Sequence, residues 1–240
     1  KLPPKVQLKS LLARRTPLSP ISRPLFSICD PSYTLTLSKY QTACGCVDII
    51  SHLLEQFFAL EKETTLSDKL IISLLKEVIL NSKLAIRNPN DIVSRSNLMI
   101  ASTLSLSYVF SLGKTLDWSI HKIEHAISGI YNVSHGAGIA CILPSWIECA
   151  SNNKIIFNRV FSLGEGLGIN GVSKFEKVKK TIKYFKKIFI DLGLPVRLTD
   201  LIKSELDLKK IVDLTLMYGN IGNIYKISIQ ECMNILKKAE

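Results

Sequence analysis

The sequence predicts an all-α fold, a helical bundle with little or no sheet, and three observations carry that prediction. Apolar residues recur at spacings of three and four, as in Leu70, Ile71, Leu74, Leu75, Val78 and Ile79, which is the period of a helix with one buried face. Only 12 glycines and 9 prolines occur in 240 residues, too few for a turn-dense β fold. Strict apolar alternation is confined to two short runs, 25–29 and 34–37.

Taken in order, the elements divide the chain in two. Pro3, Pro4, Pro17, Pro20 and Pro24 preclude a regular helix and would interrupt a central strand, so residues 1–29 are expected to be irregular. Residues 30–240 form the helical domain. Helices are expected over 41–58 and 66–86, the second ended by Asn88, Pro89 and Asn90, and a third runs from Asp91 through 110 with Asn90 or Asp91 as cap. Gly113 turns the chain into a histidine-bearing helix. Next come a helix over 136–150 interrupted near Pro144, one over 152–163 closed by the glycines of LGEGLGING, and a lysine-rich helix stopping at Gly193, Leu194 and Pro195. Two final helices, about 207–217 and 228–238, flank GNIGN.

Composition excludes several classes of function. With 47% hydrophobic and 21% charged residues the chain is an ordinary folded protein. The net charge of +11 raises the question of nucleic acid or an anionic membrane. However, seven lysines fall in 174–187, where Phe175, Val178, Ile182, Phe185 and Phe189 mark an apolar stripe, so those lysines read as the solvated face of an amphipathic helix. No aromatic-interleaved basic groove or zinc-finger spacing accompanies them, and no nucleic-acid partner is expected. The serine-rich stretch 96–113 is expected to be a buried helix, not a membrane span. Six cysteines without a paired framework read as buried or incidental thiols in a reducing compartment. The opening KLPPKVQLKSLLARRTPLSP has no apolar core of a secretory signal, so a soluble cytoplasmic protein is expected.

The chemistry concentrates in the histidines. Three of the four lie in DWSIHKIEHAISGIYNVSHGAGIACILPSW: His121 and His125 share a helix face, and His135 stands directly before Gly136 at the start of a new helix. The fourth, His52, follows Asp48 at helical spacing in CVDIISHLLEQF. A lone histidine on an apolar face is ordinarily a packed core residue. All four beside one aspartate on two short apolar segments instead suggest a divalent transition metal, iron(II) or zinc. Cys44 and Cys46 form a C-x-C near Asp48, but the helical phase of Cys46 differs from that of Asp48 and His52, which disfavours a thiolate ligand.

The segments DPSYTLTLSKYQTACGCVDIISHLLEQFF and DWSIHKIEHAISGIYNVSHGAGIACILPSW resemble the iron-containing alcohol dehydrogenases, especially the branch of butanol dehydrogenases and broad-range aldehyde reductases. The resemblance runs from about residue 30 to the C-terminus and implies the all-helical C-terminal domain of that dehydroquinate synthase-like fold. Carried over position by position, it implies that Asp48, His52, His121 and His135 bind Fe²⁺ (or Zn²⁺) and that His125 assists proton transfer. Thr34 and Leu35 would approach the nicotinamide of NAD(H) or NADP(H). The implied substrates are primary alcohols such as butanol and the matching aldehydes, and a homodimer is implied for a full-length protein.

Three departures accompany the resemblance. Ser38 stands where the family usually has proline. Ala126 stands where close relatives have glutamate, so a contact supporting the metal ligands is expected to be absent. No glycine-rich strand-turn-helix unit precedes residue 30, so residues 1–29 are expected to lead from a missing nucleotide-binding domain, with metal binding retained and turnover poor. The competing readings are an inactive metal-binding helical module and a metal hydrolase using Glu124 or Glu55 as base. Glu124 is expected to point off the His121/His125 face.

Overall fold

The computed structural model describes residues 26–61 and 64–240, and the irregular character expected of 1–29 lies outside the described residues as far as residue 25. Residues 26–30 carry no regular structure. The alternation at 34–37 does not make a strand: Pro31–Thr34 is a 3-10 turn capped by Asp30, whose carboxylate accepts the Ser32 amide. Proline at the start of this turn presets the helical φ.

The first helix, α1, spans Lys39–Phe57, followed by α2 (Thr65–Arg87), α3 (Ile92–Ser105), α4 (Ser119–Tyr131) and α5 (His135–Ala150). The second half holds α6 (Lys154–Gly166), α7 (Lys174–Asp191), the single turn α8 (Leu198–Leu201), α9 (Leu208–Thr215) and α10 (Ile229–Ala239). Among the described residues the only extended pairing is an isolated antiparallel bridge between Ile221 and Ile227. The bundle expected from apolar periodicity is the one observed.

Local chemistry explains the boundaries. Ser38 accepts the Gln41 amide at 3.1 Å and so caps α1, which gives the serine found in place of proline a role of its own. Asp91, not Asn90, caps α3 through the Val93 amide. That helix stops at Ser105, five residues before its expected end, and a 3-10 turn at Tyr108–Phe110 follows. The buried helix expected here is buried on one side of α3: Leu98, Ala101 and Ser105 face inward, while Ile92, Val93, Ile100 and Leu104 are exposed. Phe175, at the start of α7, is likewise exposed, and the buried stripe there begins at Val178. Among the described residues no helix is long and apolar enough to cross a membrane.

The bundle centres on α5. Every residue of HGAGIACILPSWIECA except His135 and Glu148 is buried, the pattern of a helix apolar on all sides. Helices α1, α4, α7 and α10 pack around it. Pro144 lies inside the helix without ending it. At the N-terminal end α5 approaches α1 closely: a Cβ on Gly136 would stand 2.0 Å from the Cys44 carbonyl oxygen, so only glycine permits this contact. That approach brings His135 to Asp48.

Candidate metal centre

Three helices converge at the N-terminal end of α5. Asp48 and His52 stand one turn apart on α1, His121 and His125 one turn apart on α4, and His135 is the first residue of α5. Asp48 Oδ1 lies 3.1 Å from His135 Nε2, 3.6 Å from His121 Nε2 and 3.7 Å from His52 Nε2. One ligand atom each from Asp48, His121 and His135 falls within 4.8 Å of the others. His52 stands beside this triad, its ring centroid 4.4 Å from that of His121. His125 is exposed at the rim, 5.3 Å from His135 between ring centroids.

The donors are held by a layer of carboxylates. His121 Nδ1 donates to Glu55 Oε2, and Glu55 also accepts the Ile120 amide at 3.0 Å. His135 Nδ1 donates to Glu124 Oε2, whose other oxygen accepts from the Ser128 hydroxyl. Placing each proton on Nδ1 leaves the Nε2 lone pairs of His121 and His135 turned toward Asp48, the tautomer a metal ligand requires.

Two expectations are corrected here. Glu124 does not point away from the histidines: three positions after His121 it is only about 60° round the helix, and α5 covers it completely. Its tight fit is visible at Gly138, where an added Cβ would meet Glu124 Oε1 at 2.5 Å. Ala126 does not mark a lost support either. It packs into the core at 4% exposure, and Glu55 and Glu124 supply the carboxylates.

The electrostatics follow from this crowding. Burial opposes charge on His121 and His135, but the Asp48 carboxylate beside both rings and the Glu55 or Glu124 carboxylate on Nδ1 outweigh it and lift them to about 9 and about 10. Burial alone would raise the Asp48 carboxyl; the neighbouring His121 and His135 imidazoles reverse this and hold it well below the usual range. His52, desolvated and facing His121, falls to about 4. His125 is lowered first by desolvation among its neighbours and then by repulsion from His135. Despite its neighbours, Asp48 Oδ1 is a buried oxygen with no properly formed hydrogen bond, and His52 Nδ1 is equally unpartnered. A carboxylate oxygen left over among three imidazole nitrogens is what a cation would satisfy, and the N/O donor set suits iron(II) or zinc. Cys44 and Cys46 stand outside the cluster, and burial pushes the Cys46 thiol up to about 12, against thiolate formation.

The remaining candidates fall as follows. Thr34 lines a cleft of about 290 Å³ between α1 and α3 that Asp48 also lines; Leu35, half-buried at the end of the 3-10 turn, does not line it. Sequence reasoning missed Trp118, a non-glycine residue at φ 57° whose ring packs edge-on against His52 and His121. A bulky residue in the left-handed region is strained backbone beside a site. Asp117 was also missed. Its Oδ2 accepts the amides of Asn223, Ile224 and Tyr225 at 3.0, 2.8 and 3.1 Å, pinning the loop before α10 to the start of α4. Glu55 was findable, because Asp48, His52 and Glu55 follow the i, i+4, i+7 pattern of one helix face.

A helical domain in which a carboxylate and three imidazoles from separate helices meet, each of two imidazoles backed by a buried carboxylate, defines a candidate cation-binding domain. Residues 42–240 match the Fe-containing alcohol dehydrogenase family, C-terminal, and the chain belongs to that family. It is 35% identical over 230 residues to NADH-dependent butanol dehydrogenase B of Clostridium acetobutylicum, covering 92% of this chain and 57% of that protein. With butanol dehydrogenase A of the same organism it shares 33% identity, covering 90% and 57%. The chain thus spans little more than half the length of these relatives. Among solved structures, NADH-dependent butanol dehydrogenase A of Thermotoga maritima superposes with a TM-score of 0.81 at 29% identity, over 88% of this chain and 55% of that one. The aldehyde reductase YqhD of Escherichia coli gives 0.84 at 24% identity, over 91% and 58%, a likeness of fold.

Proposed function

We propose that this chain is the metal- and substrate-binding part of an NAD(P)-dependent alcohol dehydrogenase or aldehyde reductase acting on primary alcohols such as butanol. Asp48, His52, His121 and His135 hold Fe²⁺ or Zn²⁺. The observation that carries the proposal is the buried, unsatisfied Asp48 Oδ1 set 3.1–3.7 Å from three Nε2 atoms. A cytoplasmic location belongs to the same proposal, supported by cysteines that are all free thiols, and so does a homodimer in a longer form of the protein.

A bound divalent ion supplies Lewis acidity, making an alcohol more acidic and a carbonyl more electrophilic. The nicotinamide supplies or accepts hydride, and Thr34 and Leu35 are its proposed contacts on this chain. Glu55 and Glu124 keep the Nδ1 protons of His121 and His135 in place and so hold both rings in the ligating tautomer. A ring nitrogen of His125 accepts the alcohol proton or returns it. Its lowered pKa keeps it neutral and able to accept at neutral pH, and its exposure gives it a route to solvent.

The test is metal analysis of the purified chain, stripped of ions and then dialysed against Fe²⁺ without oxygen, or against Zn²⁺. One ion per chain is expected, with Asp48→Asn and His121→Ala each weakening binding by more than about 100-fold while helical circular dichroism is unchanged. Failure to take up either metal in a helical protein would overturn the proposal.

A further inference from the structure

We propose that the cleft between α1 and α3 is a binding site for a small oxyanion, a carboxylate or phosphate group, with the buried guanidinium of Arg95 as its partner. The described residues include two buried arginines, and they are treated differently. Arg159, 7% exposed, bonds both oxygens of Asp68. Arg95, 3% exposed, has no carboxylate partner: Nε donates to the Pro89 carbonyl at 3.1 Å, Nη1 to Thr42 Oγ1 at 2.9 Å, and buried Nη2 to nothing.

Arg95 lines the cavity of about 290 Å³, together with Gln41, Thr42, Ser102 and Thr103. That volume is at the small end of ligand sites and has ample room for a carboxylate or phosphate. Asp48 lines the same cavity, but its unsatisfied Oδ1 faces the three imidazoles and it forms no ion pair with Arg95. Among the described residues the guanidinium charge therefore remains uncompensated. A buried charge without a counter-charge is strongly unfavourable, and the spare edge of a planar guanidinium is shaped to donate to an oxyanion. A neutral carbonyl in the cleft would satisfy the Nη2 hydrogen but leave the charge unpaired, which is why the ligand assigned is anionic. The site does not depend on the dehydrogenase reading.

The experiment is titration of the metal-free chain with sodium acetate or with inorganic phosphate, at ionic strength held constant with chloride, followed by ¹H–¹⁵N NMR including the arginine Nε–H signals. Saturable shifts of Arg95 and of residues along the cleft are expected with at least one anion. Acetate alone would mark a carboxylate site and phosphate alone a phosphate site. Arg95→Met should weaken binding about tenfold or more, the loss of one charge-assisted hydrogen bond. A second variant meets the case in which Arg95→Met fails to fold. Met99→Glu, one helical turn from Arg95 and also lining the cleft, puts a carboxylate within reach of the guanidinium. It should abolish anion binding and raise the melting temperature. Absence of saturable binding by both anions, or Met99→Glu binding them as the wild type does, overturns the proposal.

Discussion

At the scale of the residue, the centre depends on carboxylates that touch no substrate. Glu124 Oε2 fixes the His135 proton, so Glu124→Gln is expected to weaken Fe²⁺ or Zn²⁺ binding by about 10–100-fold with little change in helix content, measured by competition against a chromophoric chelator. The corresponding change at Glu55, which is fully buried and raised in pKa first by burial, should also reduce stability. The histidines and Asp48 were legible as a set because four like side chains within two apolar segments are conspicuous. Their supports were less so, since a glutamate one-sixth of a turn off the histidine stripe looks like a surface charge until a second helix is laid over it.

At the scale of the element, two glycines in neighbouring helices have opposite expected fates. Gly136→Ala drives a Cβ into the Cys44 carbonyl and should destabilise by about 3 kcal/mol, the upper range for overpacking, because the obstacle is backbone. Gly45→Ala on α1 meets nothing within 4 Å and should be neutral or stabilising by up to about 1 kcal/mol from helix propensity. Urea unfolding of the two variants checks both. The helices themselves were readable from apolar period and caps, and their ends fall within a few residues of expectation, with α3 the exception. Its sequence is apolar on more than one side, so period alone did not reveal which side the bundle leaves exposed, nor where the helix gives way to a 3-10 turn.

At the scale of the whole molecule, one ion cluster ties distant segments. Arg159 on α6 bonds Asp68 on α2 and the Phe57 carbonyl ending α1, while Lys114 bonds Asp68 at 3.1 Å and the Gln56 carbonyl at 3.2 Å. Burial raises the Asp68 pKa, but the Arg159 and Lys114 contacts prevail and lower it. A carboxyl with a depressed folded pKa adds stability at pH values above its unfolded pKa, about 3.9. That stability is lost as pH falls through the folded value. Asp68→Asn should therefore lower stability at pH 7 by roughly 3 kcal/mol, and the gap in melting temperature should narrow below about pH 4. Nothing in local sequence pattern joins these positions, because their separation along the chain reaches 102 residues. A metal bound across α1, α4 and α5 is expected to act on the same scale, stabilising the fold by about 2.7 kcal/mol at a hundred times its dissociation constant, measured as a chelator-reversible rise in melting temperature.

The chain's two tryptophans occupy very different surroundings. Trp146 is sealed in the interior against Phe58 and Tyr225, whereas the indole of Trp118 leans on two imidazoles. The protein therefore carries two built-in optical reporters, one for global packing and one for events among the histidines. Charged imidazole quenches indole emission, and of the two rings it is His121 whose pKa is raised, so displacement of the His121 proton should brighten Trp118 and leave Trp146 unaltered, and Trp118→Phe should silence that signal.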